Sequence, residues 1–336
     1  MSKAEIEVLR VLESVKEDGI LQSMLCKSTG FSKSTISYVL SKLSESGAIT
    51  KVKRGKEYTI WLTKYAPSKD VKIVRVGFIK ALEYAYLIPF SKLLKDRGYL
   101  LKFKMYEEGL SVLNDLIQGR LDLAIAPLIT QILRSISVKG GIKIVAVAGR
   151  GGSSLVVSGD VRKVSDLINR KVGTTPLSTM ELNVASLALS EGIDLEDIEL
   201  IHSTSASQMM NMLKRDEVKA VSLWEPYPTI LEEVGYKRLV RYRDYFSDFP
   251  CCVLSCRVCN DEILKLFRMS FEIFNKKKEE YAGAFLKLIG FPERLVERSI
   301  RDLSFNPELE KNEVKGELSR AGLWGLLPIV NEVIGN

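Results

Sequence analysis

Residues 169–192 read NRKVGTTPLSTMELNVASLALSEG, and how this stretch folds decides the rest of the chain. Lys171-Val172-Gly173 reads as a short strand, Thr174 to Thr179 as a hydroxyl-rich turn broken by Pro176, and Met180 onward as a helix that stops at Gly192. Ser178 or Thr179 is the expected N-cap. Such a helix start offers free N–H groups, the positive end of a dipole and several hydroxyls, which suits an anionic or polar group.

The same rhythm extends in both directions. Upstream, the apolar runs VKIVRVGFI (71–79), LLKFKMY (100–106), LDLAIAP (121–127) and IKIVAVAG (142–149) alternate with amphipathic stretches such as PFSKLLKDRG and SVLNDLIQGR. Downstream, IELIHS (198–203) and VKAVSLW (218–224) flank the helix through MNMLKRD. Continuous apolar strands separated by helices predict an α/β fold of buried parallel sheets with helices on both faces, and two successive units predict two lobes.

From Gly151 to Pro228 the series GGSSLVVSGDVRKVSDLINRKVGTTPLSTMELNVASLALSEGIDLEDIELIHSTSASQMMNMLKRDEVKAVSLWEPYP resembles the type II periplasmic substrate-binding proteins of the nitrate, sulfonate, taurine and thiamine-pyrimidine group. YEEGLSVLNDLIQGRLDLAIAPLITQIL (106–133) and LSFNPELEKNEVKGELSRAGLWG (303–325) extend the resemblance over about 71–336. It implies a chain that crosses twice between lobes, lobe one being about 71–155 plus 248–336 and lobe two about 160–245. The ligand then sits in the cleft, at strand C-termini and helix N-termini. Phe78, Tyr84, Tyr86, Pro127, Ser153, Thr174, Thr175, Ser178, Thr179, Trp224, Glu225, Cys251 and Cys252 are the candidate ligand-binding residues. The expected effector is an anion, a sulfonate or a thiamine-type pyrimidine. Glu83, Glu107 and Glu108 fit solvated carboxylates better than ligand contacts, and the sole histidine, His202, fits the surface.

The first 66 residues follow another pattern. Residues 4–17, LQSMLCKS and the stretch after Ser32 read as three helices, the last burying Ile36, Val39, Leu40 and Leu43. A hairpin follows, with the basic turn Lys53-Arg54-Gly55-Lys56, and with Tyr58, Ile60 and Leu62 expected on the face opposite Thr59, Trp61 and Thr63. The stretch GFSKSTISYVLSKLSESGAITKVKRGKEY resembles the winged helix-turn-helix of MarR-like and related archaeal transcription regulators. Within 27–56 seven Lys/Arg stand against Glu45 alone, a local excess that suits a phosphate-facing surface. The resemblance implies that Ser32, Lys33, Ser34, Thr35, Ser37, Tyr38 and Lys42 face a DNA major groove and that Lys53, Arg54 and Lys56 cover the flanking backbone. Residues 67–70 form the expected linker.

The net charge of +7 favours acidic partners. MSKAEIEVLR has no apolar core of an export signal, and no apolar run is long enough to span a bilayer, so a cytoplasmic location without membrane contact is expected. The five cysteines, four of them in PCCVLSCRVC (250–259), are then expected as reduced thiols with no metal, Cys251 and Cys252 pointing to opposite faces of a strand. The stretch also looks like the cysteine-rich segment of the fungal thiamine-pyrimidine synthases, whose Lys-His pair finds no match. The sequence therefore predicts a homodimeric, solute-responsive transcription regulator that binds an operator in double-stranded DNA, with no catalytic residue and no cofactor. The competing reading is a pyrimidine-synthase-like enzyme fused to a winged helix.

Overall fold

The computed structural model describes residues 2–54, 57–66, 72–139, 141–246 and 248–335. Two compact units, Met1–Lys72 and Ile73–Asn336, each close on their own contacts. The linker expected at 67–70 and Lys56 lie outside the described residues.

The first unit runs α1 (Lys3–Val15), β1 (Ile20–Leu21), α2 (Gln22–Thr29), α3 (Lys33–Glu45), β2 (Ile49–Arg54) and β3 (Glu57–Leu62). Ser2 and Glu5 close a capping box on α1, and Ser32 caps α3 through the Thr35 N–H at 3.1 Å. The three helices bury Val8, Leu12, Leu25, Ile36, Val39, Leu40 and Leu43 against the antiparallel sheet β1-β3-β2. The expected alternation along β3 fails, because Thr59, Ile60, Trp61 and Leu62 are all buried. Trp61 lies against Gly19, where a Cβ would stand 2.4 Å from the indole and φ is +60°, so a glycine is required on both counts.

The second unit begins with β4 (Lys72–Ile79), α4 (Leu87–Asp96), β5 (Tyr99–Tyr106), α5 (Gly109–Ile117), β6 (Leu123–Pro127), α6 (Leu128–Ser137) and β7 (Lys143–Gly151). The chain crosses to lobe two for β8 (Ser153–Val157), β9 (Lys171–Thr174), α7 (Thr179–Ser190), β10 (Glu199–His202), α8 (Ala206–Lys214), β11 (Ala220–Trp224), α9 (Tyr227–Glu233) and β12 (Lys237–Arg241). It returns through α10 (Tyr242–Phe246) to β13 (Pro250–Cys256), α11 (Asp261–Lys276), α12 (Lys278–Leu288), α13 (Val296–Ser299), β14 (Leu303–Ser304), α14 (Lys311–Arg320) and α15 (Val330–Val333).

Lobe one holds the six-stranded sheet β14-β7-β13-β6-β4-β5 and lobe two the five-stranded sheet β10-β9-β11-β8-β12. The sheets are mixed rather than parallel: β4·β6, β9·β10 and β9·β11 run parallel, while β13 lies antiparallel to β6 and β7, and β8 to β11 and β12. The departure comes from the crossings, since a strand that enters from the other lobe meets its new sheet in the reverse direction. Among the described residues no helix is long and apolar enough to cross a membrane.

Candidate functional site in the interlobe cleft

Between the lobes lies a cavity of about 290 Å³, near the lower end of small-molecule pockets. Lobe one supplies Ile79 at the end of β4 and Glu83 after it, Glu107 to Leu110 at the start of α5, Pro127 at the end of β6, and Thr130, Leu133, Arg134 and Ser137 from α6. Cys251 and Cys252 of β13 complete that side. Lobe two supplies Thr175 to Met180 and Trp224.

The turn into α7 is built as its sequence demands. Ser178 accepts from the Met180 N–H at 3.1 Å and donates to the Thr175 carbonyl at 2.7 Å. The Leu177 N–H is taken by the Glu181 carboxylate at 2.5 Å, which places a negative charge at the positive end of the helix. His202 holds the other oxygen of Glu181 at 2.9 Å. Contacts across the cleft clasp the lobes: Thr130 Oγ1 donates to the Leu177 carbonyl at 2.8 Å, Thr179 Oγ1 to the Cys251 carbonyl at 2.9 Å, and Trp224 Nε1 to the Lys80 carbonyl at 2.8 Å.

Of the residues singled out from sequence, Pro127, Thr175, Ser178, Thr179, Trp224, Cys251 and Cys252 line the cavity. The others stand behind its wall. Phe78 is buried edge-on against Tyr84 and Phe103, Tyr84 donates to Cys252 Sγ at 3.1 Å, and Tyr86 stacks on Phe271 with ring centroids 3.9 Å apart. Ser153 accepts from Asn183 at 3.3 Å, and Thr174 is fully buried with no hydrogen-bond partner for its hydroxyl. Glu225 is spent on a buried ion pair with Arg238 at 2.7 Å. The end of β4 and the loop after it turn inward more deeply than their spacing indicates, so their aromatic rings join the core and leave Ile79 and Glu83 at the cavity.

The cysteines correct two expectations. Cys251 and Cys252 do not diverge: both reach the cavity, with their sulfurs 4.0 Å apart, because the pairing of β13 with β7 shifts register on either side of Cys252. Cys256 and Cys259 are joined by a disulfide rather than present as free thiols, the turn after β13 bringing their Cα atoms to 5.4 Å. Cys26, Cys251 and Cys252 are free.

Glu83, expected in solvent, is only 3% exposed. Burial raises its pKa above the ordinary carboxylate value, opposed in part by hydrogen bonds to Cys252 and Tyr84. Gly149 of β7 makes the room, since a Cβ there would stand 2.5 Å from the Glu83 carboxyl carbon. Glu83, Cys251 and Cys252 bring three donor atoms within 4.8 Å of one another, one short of the four-ligand set of a structural zinc site. Burial also raises the pKa of Cys252 far above that of a free thiol, so this sulfur is a protonated one.

Thr130, Leu133, Arg134 and Ser137 were missing from the sequence reading, although their i, i+3, i+4, i+7 spacing marks one face of a helix that starts at the cleft end of a strand. That pattern was available, but any amphipathic helix shows it.

In the first unit, Lys33, Ser34, Ser37 and Tyr38 project from α3 into solvent, Tyr38 being 72% exposed. Ser32 is exposed but shared among the Thr35 N–H and the Ser34 and Thr35 hydroxyls, and Thr35 is half-buried. Lys42 is exposed along its stem, yet its ammonium pairs with Glu5 of α1 at 2.6 Å. Lys53 is exposed on β2, and Arg54 ends that strand.

Two α/β lobes closing on a cavity, joined by two crossings, define a chain of the solute-binding-protein architecture. Residues 68–259 match the NMT1-like family, to which this chain belongs. Residues 2–63 match a family described only as a domain of unknown function. No curated protein matches. Among solved structures, the ligand-binding component of an ABC-type import system from Staphylococcus aureus, with zinc bound, is 18% identical over 76% of this chain and 92% of its own, with a TM-score of 0.67. The alkanesulfonate-binding protein SsuA of Xanthomonas axonopodis pv. citri, bound to MOPS, is 15% identical over 78% and 98%, with a TM-score of 0.66. The periplasmic aliphatic sulphonate-binding protein SsuA of Escherichia coli is 15% identical over 79% and 92%, with a TM-score of 0.65. At these identities the likeness establishes the fold.

Proposed function

We propose that this protein is a solute-responsive DNA-binding regulator. Its first unit acts as a winged helix-turn-helix and its second as the sensor. The observation that carries the reading is the division of α3 into two faces. One face is spent entirely on the core, and the other offers Lys33, Ser34, Ser37 and Tyr38 without burying any of them. Short hydroxyls, a cation and an aromatic ring at the first turns of an exposed helix suit phosphates and base edges in a major groove. The exposed Lys53 on the hairpin adds a contact to the flanking backbone.

The cavity supplies the second half. Relatives of the same fold include alkanesulfonate-binding proteins, which supports a small solute as effector. A solute changes DNA affinity only as far as it binds the DNA-competent arrangement differently from the other, and it does so reciprocally. In a homodimer that coupling reaches two half-sites at once.

The experiment is fluorescence anisotropy of the full chain on a labelled duplex across a salt series. Duplex binding with a steep salt dependence is expected, and Lys33→Ala with Lys53→Ala should lower the log–log slope by about 0.9 for each phosphate contact removed. Absence of duplex binding at low salt, or an unchanged slope in the double variant, would remove the first unit from DNA recognition.

A further inference from the structure

The charges on the cavity wall are unbalanced. Glu83, Glu107 and Glu108 face it from lobe one, and Arg134 is the only cation among the described lining residues. Two of its guanidinium nitrogens are engaged, one donating to Asn114 at 2.9 Å and another to Ser137 at 3.0 Å, while its Nε is buried without a partner. The remaining lining is largely apolar, with Ile79, Leu110, Pro127, Leu133, Met180 and Trp224 as its main surfaces.

At the floor, the titratable groups that act on Glu83 among the described residues are acids. Cys251 and Cys252 come from β13, Tyr84 and Tyr86 from its own segment, and the Tyr86 hydroxyl is buried without a hydrogen-bond partner. β7 contributes only the bare backbone of Gly149 at that point. Across the cavity the Thr175 hydroxyl, also buried, has no partner either. At the turn into α7, which would greet an anion, Ser178 takes the Met180 N–H and Glu181 the Leu177 N–H, and the Glu181 carboxylate repels a second negative charge. A buried carboxyl without a cation stays neutral or waits for a positive partner.

We propose that the cleft takes an organic cation, an amine or amidine carried on an apolar body, with its positive end seated against the Glu83 carboxyl and within reach of the Thr175 hydroxyl. The inference rests on the reading of the cleft as a solute site and names the class of solute. Binding a permanent cation ionises Glu83 and releases its proton to solvent, so affinity for that cation rises with pH while Glu83 is still protonated in the free protein.

The test uses the full chain and three probes that share one ring: benzamidine, benzyl alcohol and benzenesulfonate, with zinc chloride as a fourth. Titration calorimetry at several pH values should give the order benzamidine, then the alcohol, then the sulfonate. Benzamidine affinity should rise with pH by up to about tenfold per unit. Glu83→Gln should weaken benzamidine by about tenfold or more and leave the alcohol unchanged, as loss of a charged hydrogen bond requires. The pH series on the unmodified chain carries the same information if the variant does not fold. Tighter binding of the sulfonate than of benzamidine, a flat pH profile, or zinc binding without any amine binding would each overturn the inference and leave the solute-site reading standing. Silence from all four probes counts against both, and against the solute-site reading first.

Discussion

Glu83 and Gly149 form one unit, the carboxyl occupying the volume that any side chain on Gly149 would need. A Cβ at Gly149 would stand 2.7 Å from Glu83 Oε2 and 2.9 Å from its Cγ, so Gly149→Ala drives the carboxyl out of its seat or shifts β7. Overpacking of this kind costs about 1–3 kcal/mol. In the Glu83→Ala background the space is vacant, so the same substitution should cost much less and the pair should be non-additive by about 1 kcal/mol or more in urea unfolding. Additive losses would mean that Gly149 serves the backbone rather than the carboxyl. None of this was legible in the chain, because a glutamate four residues past a strand is an ordinary surface residue until the opposing strand is known to carry a glycine there.

At the scale of elements, α3 was legible and its electrostatics were not. Ser32 as N-cap and the inward face of Ile36, Val39, Leu40 and Leu43 follow from spacing alone, and all are present. Lys42 has the same spacing as the outward residues, but the partner that claims it sits on α1, thirty-seven positions earlier, and only the packing of α1 on α3 brings them to 2.6 Å. The pairing raises the pKa of Lys42 and lowers that of Glu5, each stabilising the other's charge. Lys42 is thereby a brace between helices rather than a free cation. Lys42→Ala should lower the thermal midpoint of the first unit while leaving the salt slope of duplex binding as it was, whereas Lys33→Ala alone lowers that slope. A drop of about 0.9 in the slope for Lys42→Ala would show that Lys42 releases Glu5 to reach phosphate. β3 and β13 misled for a related reason: alternation holds on a regular strand with one wet face, and β3 is covered on both sides from Thr59 to Leu62 while β13 is bulged.

At the scale of the whole second unit, the two lobes were visible in the repeated strand–helix rhythm, but what holds them together was not. A seam of charge joins them behind the cleft. Arg238 of lobe two, with its side chain 3% exposed, meets Glu225 at 2.7 Å and Glu232 at 3.0 Å within its own lobe, and Asp302 of lobe one. Arg241 reaches the same Asp302 at 3.1 Å, Arg298 of lobe one returns to Glu232 at 3.1 Å, and Arg294 to Glu233 at 3.1 Å. Three carboxylates around one buried guanidinium are tolerable only while the full set is assembled, since a charge left unpaired there costs several kcal/mol. Asp302 is the member that crosses, so Asp302→Asn weakens the attraction between lobes without touching any residue that lines the cavity. Trp224 reports on the outcome, because its indole is bonded across the cleft to Lys80 and buried only while the lobes are clasped. In a Trp324→Phe background, which removes the exposed indole, Asp302→Asn should increase acrylamide quenching of tryptophan fluorescence and shift the emission to the red. Quenching identical to the parent would mean that the cleft contacts of Thr130, Thr179 and Trp224 hold the closed form unaided, and that the seam fixes the hinge axis rather than the balance between open and closed.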